Sequence, residues 1–137
     1  MKGFYAEAGY EVNEELASRA FEAIITDKRL GFVWIIEAEG QPVGHLVIVL
    51  RYAMEYGGFI ACLDDLYVDA AWRNRGLSTS ALTEVTAFCR NAGIRAMTVE
   101  VGRSNAPAQA VYRRAGFQES DDRQLLAFEL APPVHVL

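Results

Sequence analysis

The segment from Asp64 to Leu82 constrains this chain most. Asp64-Asp65-Leu66-Tyr67-Val68 closes a run with strand character, Asp69-Ala70-Ala71-Trp72-Arg73-Asn74-Arg75-Gly76 is a polar turn, and Leu77-Ser78-Thr79-Ser80-Ala81-Leu82 opens a helical pattern. A strand that feeds directly into a helix leaves the first N–H groups of that helix unpaired, with the positive end of the helix dipole behind them. Anions are attracted to such an end. Gly76 has no Cβ, so backbone can approach a phosphate and positive φ is allowed there, while Arg73 and Arg75 add positive charge. A pyrophosphate suits this turn, although a glycine and two arginines also describe a merely solvated connection.

A second stretch decides between these. Asn105-Ala106-Pro107-Ala108-Gln109-Ala110-Val111-Tyr112-Arg113-Arg114-Ala115-Gly116-Phe117 fits the pattern Asn-x-x-Ala-x-x-x-Tyr-x-x-x-Gly-Phe. In this order and at this separation, the two stretches resemble the GNAT superfamily of N-acetyltransferases. Arg73-x-x-Gly76-x-Ser78 is similar to the acyl-CoA pyrophosphate loop of that family, usually Gln/Arg-x-x-Gly-x-Gly/Ala, with Ser78 as the departure, and the later stretch is similar to its second signature. The resemblance covers roughly residues 31 to 130 and is weaker over the first thirty.

A chain of 137 residues matches one domain with one sizeable core, so residues 1–137 are expected to form a single acetyltransferase-like domain. With 52% hydrophobic and 23% charged residues it has the balance of a globular protein. No apolar run is long enough for a membrane span, and Met1-Lys2-Gly3-Phe4 does not begin a signal peptide, which leads to an expected cytoplasmic location and no membrane partner. A net charge of −5 argues against nucleic acid as partner and favours cationic acceptors. The basic residues that recur around the turn and the Tyr112 helix can serve the cofactor, while a solvated face also explains Arg113 and Arg114. Cys62 and Cys89 sit among apolar neighbours as small hydrophobes, and neither His45 nor His135 has a partner at metal spacing, so no metal is expected.

Along the chain, Asn13 can cap a helix that ends near Lys28 and Arg29 and has an apolar stripe of Leu16, Ala20, Phe21, Ile24 and Ile25. Residues 32–38 and 43–50 form a strand hairpin, with the second strand able to continue through Tyr52, Met54 and Tyr56. Residues 59–68 form the central strand, 78–91 a helix with Leu82, Val85, Cys89 and Ala92 on one face, and 97–101 a short strand. A helix from Pro107 buries Ala108, Val111, Tyr112 and Ala115 and stops at Gly116, and 125–130 is a last strand closing the sheet. The implied class is α/β, or α+β, with a central mixed sheet and helices on both faces. The resemblance further implies that strands 59–68 and 97–101 splay apart to hold the pantetheine arm of acetyl-CoA.

Acyl transfer to an amine needs a neutral amine, oxyanion stabilisation and a proton for the leaving thiolate. Asp64 and Asp65 are adjacent on a strand and so point to opposite faces. By resemblance to polyamine-type members with an acidic pair here, Asp64 is the preferred base, acting through water, and Asp65 contacts the substrate. A carboxyl pKa of ~3.9 needs burial or a neighbouring carboxylate to raise it for that task. Tyr112 occupies the family position whose hydroxyl points at the CoA sulfur as general acid. Phenol (~10) to thiolate (~8.5) transfer is only about 2 kcal/mol uphill.

The resemblance implies cofactor contacts from Leu66, Tyr67, Val68, Arg73, Asn74, Arg75, Gly76, Leu77, Ser78, Thr79, Asn105 and Tyr112, with the N–H groups near Tyr67 and Val68 pairing with pantetheine. Asn105 also fits a simple helix cap. Trp34, Tyr52, Met54, Glu55 and Tyr56 are candidate acceptor walls, with Glu55 able to meet an ammonium group.

The expected activity is acetyl transfer from acetyl-CoA to a primary amine of a small molecule, namely a polyamine, an amino-acid derivative or an aminoglycoside. Acetylation of a protein N-terminus or lysine is the alternative within the family, and a non-catalytic acyl-CoA sensor the alternative outside it. A tRNA-directed acetylating toxin would want a basic face. Family members open with a strand and helix, whereas Phe4-Tyr5-Ala6-Glu7 looks like the tail of that helix, so the first strand is expected to be missing. Strand 32–38 would then carry an open edge, to be covered by residues 134–137, by sequence beyond this chain, or, as favoured here, by a second copy in a homodimer.

Overall fold

The computed structural model describes residues 14–133. Helix α1 is Glu14–Thr26, followed by strands β1 (Gly31–Ala38), β2 (Gln41–Ala53) and β3 (Gly58–Val68), a single 3-10 turn at Ala70–Trp72, helix α2 (Leu77–Asn91), strand β4 (Met97–Val99) and helix α3 (Ala106–Ala115). The sheet order is β1-β2-β3-β4, with β1, β2 and β3 antiparallel and β4 parallel to β3. Parallel pairing needs a crossover, and α2 supplies it. No helix among the described residues is long and apolar enough to cross a membrane.

The sheet has helices on both faces. His45 points its ring at Phe21 of α1, while its neighbour Leu46 joins Ile48, Ala61 and Leu63 against Leu82, Val85 and Cys89 of α2. Successive strand residues face opposite sides, so α1 and α2 cover opposite faces. Trp34 extends the α2 layer, partly buried against the core, with its ring 5.2 Å from Phe88 and 5.8 Å from Phe32.

Several local expectations are corrected. In α1 the buried face is Ala17, flanked by half-buried Phe21 and Ile24, while Leu16, Ala20 and Ile25 are exposed. The helix ends at Thr26, and Arg29 folds back onto Asp27 beyond it. In α3, Val111 and Tyr112 are only half-buried and Ala115 is exposed. Strand 97–101 shortens to Met97–Val99, and 125–130 forms no strand, which leaves α3 with less sheet beneath it. The expectations on Phe4 to Asn13 and on residues 134–137 lie outside the described residues, among which β1 is indeed an edge strand.

One irregularity positions the site. Val47 faces Asp65 and Ile48 faces Leu63, so Asp64 is an extra residue in β3. Such a bulge reverses which way the following residues face. Before it, the Ala61 N–H donates to Ala96 on the β4 side, and after it the Asp69 N–H donates to Val43 on the β2 side. Alternation then turns the N–H groups of Leu66 and Val68 away from β2. They face the gap that opens because β4 pairs only with Ala61 to Leu63.

Candidate active site

The end of β3, the turn after it and the N-terminus of α2 enclose a cavity of about 540 Å³ whose far wall is Asn105, Pro107, Ala108, Val111 and Arg114 of α3. Of the cofactor contacts expected from sequence, Leu66, Tyr67, Val68, Arg73, Asn74, Gly76, Leu77, Ser78, Thr79 and Asn105 all line it. Arg75 and Tyr112 do not.

Gly76 caps α2 in the left-handed region, with φ 76°, and Asn74 in the turn before it also has positive φ, 62°. Among the described residues no side chain caps this helix, its first turn holds no acidic residue, and a Cβ built on Gly76 would meet no atom within 4 Å. The helix end therefore presents bare N–H groups and free space to an anion, and the pyrophosphate of an acyl-CoA fits both. Arg73 donates from Nε to the Val68 carbonyl at 2.9 Å and stacks 5.6 Å from the Tyr67 ring, so it straps the turn to the end of β3 while keeping its charge beside the helix end. Arg75 instead lies 4.7 Å over the Trp72 ring.

Asn105 caps α3 by accepting from the Ala108 N–H at 3.3 Å, and Gln109 secures the loop before it by donating to the Gly102 and Arg103 carbonyls at 2.8 and 2.9 Å. Trp72, Pro107, Ala108, Val111 and Arg114 were not foreseen as cavity residues. The signal was there in the spacing, since Ala108, Val111 and Arg114 recur every third position on one helix face. Arg114 belongs to that face and Arg113 does not; Arg113 points to Glu119 at 3.9 Å on the surface.

Tyr112 faces a second and larger cavity of about 1050 Å³, between β4, α3 and residues 117–125. Its pKa is raised above the ordinary phenol value by burial and, secondarily, by the negative charge of Asp65. The two aspartates differ sharply, Asp65 being 6% exposed and Asp64 exposed at the bulge. Glu55 is held by Arg123 at 2.8 Å, which keeps its carboxyl below the usual range, and Tyr52 stacks on Phe59 at 5.4 Å. Tyr52 pairs with Phe59, six residues before Asp65 along β3, a separation of about 20 Å. Glu55 and Tyr52 are thus not gathered with the aspartates and Tyr112.

Residues 2–117 match the model of the Acetyltransferase (GNAT) family. The chain is 40% identical to an integron cassette protein, HFX_CASS3, from the mobile metagenome of Cole Harbour Salt Marsh, with a TM-score of 0.86 over 97% of this chain and 82% of that one. It is 29% identical over 87 residues to an aminoglycoside N(6')-acetyltransferase type 1 of Stenotrophomonas maltophilia, covering 61% of this chain and 57% of that protein. It is also 31% identical over 88 residues to the L-amino acid N-acetyltransferase AaaT of Escherichia coli, covering 58% of this chain and 49% of that protein. The chain spans about half the length of these two curated relatives.

Proposed function

The chain belongs to the GNAT family of acetyltransferases, and from that premise we propose that it transfers the acetyl group of acetyl-CoA to the primary amine of a small molecule, of the polyamine, amino-acid derivative or aminoglycoside class, by direct attack in a ternary complex. The observation that carries this reading is the continuity of one cavity from the outward N–H groups of Leu66 and Val68 to the uncapped N-terminus of α2 at Gly76. Relatives named as aminoglycoside and amino-acid acetyltransferases support the substrate class.

Acetyl-CoA, when bound, supplies a thioester already activated toward amines. The N–H groups at the start of α2 would hold its pyrophosphate, with Arg73 and Arg114 supplying opposite charge. The outward amides of Leu66 and Val68 would hold the pantetheine arm. Asp65 contributes a buried negative field that draws in a cationic amine, and Asp64 takes the ammonium proton through water. Tyr112 retains its proton throughout the neutral range because its pKa is raised, so it acts as a donor to the departing sulfur and not as a base.

The deciding experiment is free-thiol release from acetyl-CoA across a panel of polyamines, amino-acid derivatives and aminoglycosides, with mass measurement of the product. Amine-dependent release with acetylated product is the expected result. Cofactor binding with no release on any amine, protein N-termini and lysines included, would leave a non-catalytic acyl-CoA-binding domain.

A further inference from the structure

Arg75 stands directly before Gly76, yet it is not a wall of the 540 Å³ cavity, whereas Arg73 and Arg114 are. What holds it is Trp72. The Arg75 guanidinium lies 4.7 Å from the centre of the indole, and the indole is in turn packed against the buried cluster of Ile36, Val43 and Val68. Trp72 is itself a wall of the cavity, so Arg75 rests at the cavity's rim.

The neighbourhood of this arginine is free of acid groups, although the chain as a whole is acidic, with 18 Asp and Glu against 13 Lys and Arg. Residues 70–83 contain neither Asp nor Glu. Arg113 and Arg123 meet Glu119 and Glu55, but Arg75 pairs with no carboxylate among the described residues and has the indole instead. A guanidinium laid flat on a ring is a planar fork of N–H donors held in one orientation, and here its charge has no counterpart in the protein.

The charges of acetyl-CoA supply that counterpart. Its pyrophosphate is matched by Arg73, Arg114 and the positive end of α2. It carries one further phosphate, the monoester on the ribose 3′-oxygen, with a charge of roughly −1.5 to −2 at neutral pH. That group is attached to the sugar adjoining the pyrophosphate, and a cation adjoining the pyrophosphate turn but outside the cavity is the one to meet it.

We propose that Arg75, laid on Trp72, binds the 3′-phosphate of the donor, so that the protein selects acetyl-CoA over acetyl donors lacking that phosphate, the acetyl-phosphopantetheine of a carrier protein among them. This rests on acetyl-CoA being the donor, and it adds a point of recognition outside the cavity. Arginine suits the task better than lysine, because its fork pairs with two phosphate oxygens at once. Stacking of the adenine base on Trp72 is the poorer use of this place, since the guanidinium already covers the ring and would be left without an anion.

Calorimetry on the full chain, with acetyl-CoA and with its 3′-dephospho form, tests the assignment, because the dephospho form keeps adenine, ribose and pyrophosphate. The parent is expected to bind acetyl-CoA roughly tenfold more tightly, as one charge-assisted contact at an exposed site would give. Arg75→Ala, a change at an exposed position, should bind both forms alike, at the affinity the parent shows for the dephospho form. Arg75→Lys should recover part of the preference, since it keeps the charge but not the flat fork. Equal affinity for the two forms in the parent, or an Arg75→Ala variant that loses affinity for both in equal measure, would overturn the assignment while leaving acetyl-CoA as the donor. A parent that binds neither form would remove acetyl-CoA itself, and the 3′-phosphate site with it.

Discussion

The carboxylate of Asp65 raises the pKa of the Tyr112 phenol, adding to the larger effect of burial. The phenol is the proton donor of the proposed reaction and is active while protonated, so the alkaline limb of the rate profile should follow its pKa. Asp65→Asn removes the smaller of the two causes and should move that limb to lower pH. Tyr112→Phe should lower turnover by roughly 10²-fold while changing acetyl-CoA affinity little, because the hydroxyl is used only as the thiolate departs. Asp64→Asn should change the shape of the pH–rate profile if Asp64 is the base. A profile that scales down without changing shape would make Asp64 electrostatic rather than basic, and unchanged turnover in Tyr112→Phe would reduce Tyr112 to packing.

Gly76 serves the helix end in two ways. Its φ of 76° is a conformation that a β-branched residue reaches only at a cost on the order of 1–2 kcal/mol, and a side chain there would project into space now empty of protein. Gly76→Val should therefore weaken acetyl-CoA binding at least tenfold by calorimetry, with Gly76→Ala between it and the parent. An unchanged affinity in Gly76→Val would remove the pyrophosphate from this turn.

Arg113 and Arg114 are neighbours in sequence with different surroundings. Arg114 lines the cofactor cavity, and Arg113 faces Glu119 across 3.9 Å of exposed surface, where an ion pair contributes little. Arg114→Ala should weaken acetyl-CoA binding several-fold at low salt, with the difference shrinking as salt screens the phosphates. Arg113→Ala should leave affinity where it was. Equal losses for the two would mean that only net charge matters.

This pair also shows where the sequence was legible and where it was not. The strand, turn and helix around Gly76 were readable because local propensity, a glycine requirement and a helix terminus all act within a few residues. Whether Arg114 is solvated or serves the cofactor is open in the sequence, because its place depends on how α3 is rotated, which packing fixes. Asp64 and Asp65 differ in burial, and the bulge at Asp64 that interrupts strand alternation there depends on register with β2 and leaves no local mark. Trp34 and Tyr52 look alike in a strand pattern. One lies over Phe88 of a helix and the other beside a hairpin turn, a difference set by long-range pairing. The 125–130 segment has every local sign of a strand and forms none, because pairing with an edge is decided by long-range packing and not by local propensity.

His45 yields a prediction about stability that does not involve catalysis. Its ring lies 5.5 Å from Phe21 and 5.7 Å from Tyr67, it is 8% exposed, and its Nε2 has no hydrogen-bond partner among the described residues. Burial lowers its pKa from 6.5 to about 4, against the opposing charge of Asp69. The unfolded chain thus binds a proton near pH 6.5 that the folded chain refuses until near pH 4. Stability from keeping this ring neutral is fully present above pH 6.5 and is lost as pH falls toward 4. Between pH 7 and pH 5 the loss should be about 2 kcal/mol. The carboxyls of Asp27 and Glu55, lowered by Arg29 and Arg123, titrate below that window. His45→Leu keeps an apolar filling between the two rings and removes the proton, so urea unfolding of this variant should show nearly the same midpoint at both pH values. A variant that loses as much stability as the parent between pH 7 and pH 5 would move the acid sensitivity elsewhere in the chain.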